Sequence, residues 1–128
     1  MQPLSQRLLC LTALYSVAAY SQIGTSTLTG RITDTTGAVV PKVSVTVVQT
    51  GTNFTQNTVS NDEGIYRVLS LQPGTYRITF DTAAYFGALG IEGFYPEASI
   101  VFVIRDAAAH YHVPLLLSAF GYSTYRGS

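Results

Sequence analysis

An all-β sandwich of seven strands is the fold class this sequence predicts, and three observations predict it. From Ser26 onward, apolar and polar residues alternate with a period of two rather than 3.6. The alternating runs are short, evenly spaced and separated by turns that contain Gly or Pro. No β-α-β alternation appears between them.

The first strand is read from Leu28, Gly30 and Ile32 on one face and Thr27, Thr29, Arg31 and Thr33 on the other; it stops at the turn cluster Asp34-Thr35-Thr36-Gly37. Val43, Val45 and Val47 alternate with Ser44 and Thr46 in the second, whose β-branched side chains suit a pleated, half-buried surface. Phe54 to Ser60 is polar and Thr-rich, as befits an edge strand, and Asn61-Asp62-Glu63-Gly64 turns into the strand Ile65 to Leu71. After Gln72-Pro73-Gly74, where Pro presets φ, Tyr76, Ile78 and Phe80 alternate with Thr75, Arg77 and Thr79. Residues 83–97 break the period and read as a long aromatic loop with room for one short helical turn at Ala83 to Ala88. Ile100 to Ile104 is an apolar run of central-strand length, and Tyr111, Val113, Leu115 and Leu117 form the last strand.

A chain of 128 residues fits one domain that buries enough apolar surface to fold without disulfides, metal or a partner. Residues 1–21 read as a signal peptide: Arg7 precedes the apolar run Leu8 to Tyr20, and Ala19-Tyr20-Ser21 supplies small residues before Gln22. Thirteen apolar-leaning residues are too few to cross about 30 Å of hydrocarbon as a helix, so no membrane span is expected in the mature chain. Cys10, the one cysteine, lies inside that run, which leaves the mature chain without thiol chemistry. Seven bases balance seven acids, and loss of Arg7 with the leader leaves one acid in excess. No basic stripe is present to neutralise phosphates, which argues against nucleic acid as a partner. Residues 22–118 are assigned to the sandwich domain and 119–128 to a C-terminal tail.

Three motifs carry a family resemblance. The stretch Gly30 to Pro41 (GRITDTTGAVVP), then Asn61-Asp62-Glu63-Gly64-Ile65-Tyr66, then Leu71 to Phe80 (LQPGTYRITF) closely resemble the carboxypeptidase regulatory-like domain. The resemblance is strong over Leu28 to Phe80, and it implies a Greek-key β-sandwich of transthyretin-like or immunoglobulin-like kind. It also implies an accessory module of secreted bacterial proteins, or the amino-terminal extension of a TonB-dependent outer-membrane receptor. Two positions depart from the family pattern: Lys42 stands where a Gly is usual, and Ala84-Tyr85 where Gly-Phe is usual.

Candidate sites are few. His110 and His112 stand two apart on a strand and leave the same face, but two ligands without a third from Asp106 or elsewhere do not make a metal site, and the reading preferred is two solvent-facing histidines. No nucleophile motif, phosphate loop or dinucleotide glycine pattern is found. Catalytic residues, metal and cofactor are therefore all expected to be absent, and the chain is read as a non-enzyme. Tyr85, Phe94 and Tyr95, with Phe86, Tyr122 and Tyr125 nearby, are the candidate ligand-binding residues, because aromatic rings at the loop end of a sandwich stack on sugars or grip a protein. The competing role for Phe86 and Phe94 is closure of the core. Asn53-Phe54-Thr55 fits an N-glycosylation acceptor, a short pattern that the resemblance to bacterial proteins makes uninformative.

Function is thus expected to be that of a secreted or envelope-associated accessory module with a protein or carbohydrate ligand. A carbohydrate-binding module using the loop aromatics and a detached receptor extension are the alternatives; oligomeric state is left open.

Overall fold

The computed structural model describes residues 24–127. The signal-peptide expectation for residues 1–21 lies outside them. β1 (Ser26–Asp34) buries Leu28, Gly30 and Ile32 and turns Thr29, Arg31 and Thr33 to the other face, as the alternation requires. Its end is held by Asp34, whose carboxylate accepts from the Thr36 backbone N–H (2.9 Å), the Thr36 hydroxyl (2.6 Å) and the Ala38 N–H (3.0 Å). β2 (Ser44–Gln49) and β3 (Thr55–Val59) follow as an antiparallel hairpin. Lys42 ahead of β2 takes φ +62°, the left-handed conformation for which the usual Gly is suited, so the turn keeps its geometry with a residue strained in it.

β4 (Ile65–Leu71) is entered through Gly64 at φ +74°, and β5 (Gly74–Phe80) turns Tyr76, Ile78 and Phe80 inward. The expected helical turn is real and longer: α1 (Thr82–Ala88) starts at the cap Asp81, whose side chain accepts from Ala84 N–H, and it buries Phe86. β6 (Ala98–Ile104) differs from its expected central position. It pairs with β5 alone among the described residues and leaves Val101 and Val103 exposed, so its continuous apolar sequence belongs to an edge. The expected last strand is two, β7 (His110–His112) and β8 (Leu115–Ser118), because Pro114 has no N–H to continue the ladder. Residues set apart as a tail contribute β9 (Gly121–Thr124), antiparallel to β8. The described residues therefore hold nine strands rather than seven.

One sheet runs β4-β1-β8-β9 with β7 also on β1, and the other runs β3-β2-β5-β6. β1 pairs in parallel with both β7 (Thr27 opposite His110) and β8 (Ile32 opposite Leu115). The core lies between the sheets, with Leu28, Ile32, Tyr66 and Val68 facing Val45, Val47, Tyr76, Ile78 and Phe80. Tyr66 and Phe80 meet edge to face across it at 5.3 Å. No helix among the described residues is long and apolar enough to cross a membrane.

Candidate functional site

The outward residues of β1 become the floor of a cleft. Thr29, Arg31 and Thr33 share the face that does not enter the core, and β4 sets Ile65 directly opposite Arg31 while β7 sets His112 opposite Thr29. Together with Gly30, Pro114 and Tyr125 they line a depression of about 450 Å³, within the range of small-molecule sites. The break at Pro114 opens it. Between His112 and Leu115 no strand continues the ladder on that side of β1, and only the Val113 N–H reaches back, to the Thr29 carbonyl at 2.9 Å.

Beneath this floor the packing is tight. A Cβ on Gly30 would come within 2.1 Å of the Val113 carbonyl oxygen and 2.6 Å of the Tyr66 ring and hydroxyl, so glycine alone fits there. The fully buried Tyr66 donates its hydroxyl to the Val113 carbonyl, tying β4 to the β7–β8 link under β1. Burial pushes the Tyr66 phenol far above its ordinary range, so it acts as a neutral donor throughout.

The wall comes from the segment after β9. Thr124 donates its hydroxyl to the Pro114 carbonyl at 2.7 Å, Tyr125 lines the cleft, and Gly127 donates its N–H to the His112 carbonyl at 2.7 Å. Gly127 lies so close to the imidazole that a Cβ would fall 2.1 Å from His112 Nδ1. The tail therefore covers Nδ1, and Nε2 is the nitrogen turned away from it.

Arg31 and His112 are the ionisable cationic side chains of the lining, and no carboxylate is among the lining residues. Arg67 stands across β1 from His112, on the opposite side of Thr29. Such a surface favours oxygen-rich or anionic ligands. It also holds an imidazole and a fixed cation in one cleft, which is the minimum for acid–base chemistry on a carbonyl.

The sequence-predicted aromatic site is elsewhere. Tyr85 is half-buried on α1 against Phe86, while Phe94 and Tyr95 sit in the loop before β6 with 71% and 42% of their surface exposed. Phe94 crosses Tyr95 at 80° and Tyr95 crosses Tyr122 at 83°, so these rings pack edge to face and do not form the coplanar platform that sugar stacking needs. Tyr85, Phe86, Phe94, Tyr95 and Tyr122 do not line the cleft, whereas Tyr125, grouped with them from the sequence, does. Of the two histidines, His110 is exposed outside the cleft and His112 is inside it, which corrects the reading of both as plain solvent-facing residues. Arg31 was missed although its outward position was legible; the parity of a strand says which way a side chain points, not which strand lies beside it.

Comparison with known proteins agrees with this geometry. The family model described as HIUase/Transthyretin matches residues 28–127. A probable 5-hydroxyisourate hydrolase of Caenorhabditis elegans is 38% identical, over 92% of this chain and 93% of that protein. The 5-hydroxyisourate hydrolase of Salmonella typhi is 37% identical, over 96% and 99%. The solved structure of the Klebsiella pneumoniae 5-hydroxyisourate hydrolase superposes with a TM-score of 0.69 at 36% identity, covering 80% of this chain and 99% of that one. Relatives named as enzymes overturn the expectation of a non-catalytic accessory module, in its protein-binding, carbohydrate-binding and receptor-extension versions alike. What stands of the earlier resemblance is its transthyretin-like part: the chain is a member of the HIUase/Transthyretin family.

Proposed function

We propose that this protein hydrolyses 5-hydroxyisourate in the cleft over β1. The observation that carries the proposal is the convergence of Arg31 and His112 in a cleft of small-molecule size with Tyr125 as its wall, in a chain similar over most of its length to proteins named for that reaction. The substrate is an oxidised urate, a small bicyclic heterocycle rich in carbonyl oxygens. Hydrolysis needs water to attack a ring carbonyl carbon, a base to take the proton of that water, and positive charge where the carbonyl oxygen becomes an oxyanion. His112 takes the proton, Arg31 holds the oxyanion, and the same imidazolium returns its proton to the ring nitrogen as the carbon–nitrogen bond breaks. Ile65 and Tyr125 offer apolar and aromatic surface to the ring system.

The test is the decay of freshly generated 5-hydroxyisourate, followed by its ultraviolet absorption with and without the protein. Acceleration by the wild type is expected, with His112→Asn lowering kcat by about a hundredfold or more and Arg31→Ala by a similar factor. No acceleration by the folded wild type would overturn the proposal, and full activity in His112→Asn would remove the imidazole from it.

A further inference from the structure

We infer that Asn53 is the acceptor of an N-linked glycan, held on the turn between β2 and β3 of a chain that residues 1–21 direct into an export route. The inference does not rest on the hydrolase reading.

Asn53-Phe54-Thr55 has the acceptor pattern: an asparagine, a residue other than proline, then a hydroxyl residue. Only the transthyretin-like part of the resemblance to bacterial modules stands, and the family has members in bacteria and animals alike, so nothing confines the pattern to bacteria. The asparagines of the chain are Asn53, Asn57 and Asn61, and the pattern fails at the last two, where Val59 and Glu63 take the hydroxyl position. The structure separates the three again by what their side chains do. The Asn57 amide oxygen accepts from the Thr46 hydroxyl at 3.0 Å, and that of Asn61 accepts from the backbone N–H groups of Glu63 (2.9 Å) and Ile65 (3.0 Å). Asn53 is exposed, and among the described residues only its backbone is engaged: its N–H donates to the Gln49 carbonyl (2.8 Å) and its carbonyl accepts from the Thr55 hydroxyl (3.0 Å).

The surroundings suit an attached sugar. Beside Asn53 lies a depression of about 410 Å³ whose walls include Thr52, Phe54, Ser70 and Gln72 and no charged side chain. Phe54 keeps 57% of its surface exposed on this turn. A sugar on Asn53 has room to fold back there, its ring against Phe54 and its hydroxyls toward the Gln72 amide and the Ser70 hydroxyl. The depression shares no residue with the cleft. Ile65, in the cleft, and Ser70, in the depression, stand near opposite ends of β4, roughly 17 Å apart at the rise of a strand, so the glycan leaves the cleft open. The co-reactant is a lipid diphosphate-linked oligosaccharide. Asn53 Nδ2 bonds to the anomeric carbon of the first sugar as the bond from that carbon to the diphosphate oxygen breaks. The diphosphate leaves with the bonding pair, and Nδ2 gives up one proton. Asn53 has φ +59°, a left-handed conformation that asparagine tolerates and glycine adopts freely. Glycine can therefore replace the acceptor without disturbing the turn.

The experiment expresses the full chain, residues 1–128 with its own leader, in cultured animal cells. Protein recovered from the medium is treated, in heavy-oxygen water, with an amidase that cuts N-glycans from asparagine. Expected are a single step down in mass on treatment and a labelled Asp in place of Asn53 in the peptide that contains it. Asn53→Gly and Thr55→Ala should be exported without the glycan, and Thr55→Ser should keep it, because the pattern needs only a hydroxyl at that position. An exported wild type whose mass does not change on treatment would overturn the inference. So would a wild type that stays in the cytosol without a glycan, or a glycan that persists on Asn53→Gly. No arm of the experiment measures hydrolysis, so the inference and the functional proposal stand or fall separately.

Discussion

Tyr66 and Gly30 form a pair in which neither works without the other. The phenol passes under β1 only because residue 30 has no side chain, and the hydroxyl then satisfies a carbonyl, that of Val113, left without a strand partner by the β7–β8 break. Removing the hydroxyl in Tyr66→Phe leaves the buried carbonyl unpaired, at a cost of about 1–3 kcal/mol in urea unfolding. The same pair carries a pH signature. Burial raises the folded-state phenol above its ordinary value of 10.0, so the folded protein holds that proton more tightly than the unfolded chain. Its stabilisation is complete below pH 10 and declines as the pH rises beyond it. The stability gap between wild type and Tyr66→Phe should therefore be flat through neutrality and narrow above pH 10; a gap that widens there would contradict the assignment. Gly64 is a second position of this kind, where a Cβ would lie 2.6 Å from the Ile32 carbonyl oxygen at a φ that already disfavours side chains.

At the scale of elements, β1, β2, β4 and β5 were legible because each has one core face and one outer face, so alternation marks both presence and orientation; β3, which buries none of its residues, was legible from its Thr-rich run and the turn after it. β6 misled because Ile, Val and Phe suit an exposed edge and a buried centre equally well by composition. β9 went unseen because Gly121-Tyr122-Ser123-Thr124 has no buried face to leave a pattern; none of its four residues is buried. The cleft was the least legible part. Its residues lie on β1, β4, β7 and the segment after β9, and only the parallel pairing of β1 with β7 brings Thr29 beside His112. No local pattern in a sequence encodes that pairing. α1 offers a test of independence between elements: Asp81→Ala removes the acceptor for the Ala84 N–H and should lower stability by about 1 kcal/mol. No residue of α1 lines the cleft, so hydrolysis at a temperature where the variant is folded should match wild type.

For the whole molecule, stability depends on two sheets meeting over a single core. Phe80 of one sheet and Tyr66 of the other are both fully buried and in edge-to-face contact, so the join between the sheets is also the underside of the cleft. Phe80→Ala should cost about 3–5 kcal/mol, a large share of the 5–15 kcal/mol usual for a domain. Thermal unfolding should then shift down by ten degrees or more, and an unchanged melting temperature would show that the sheets are held by other contacts. The outer face obeys different constraints. Thr29, Arg31 and His112 do not pack into the core, and the fold would survive their exchange; the chemistry of the cleft is free to vary on a constant sandwich.

The parallel pairing of β1 has a consequence for how the protein comes into being. β1 is the first strand of the sandwich to be synthesised, yet two of its three neighbours, β7 and β8, come more than eighty residues later. On the ribosome β1 has only β4 beside it, with one edge unpaired and the Pro114 gap not yet made. The hairpin of β2 and β3, by contrast, closes within a few residues of its own synthesis. The two sheets should therefore begin to form at different times, β2, β3 and β5 pairing first and the β1 sheet closing only when β7 and β8 emerge. Such distant closure places folding in the slow range of all-β proteins, milliseconds to seconds. The cleft, built on that late sheet, is the last feature of the newborn chain to exist.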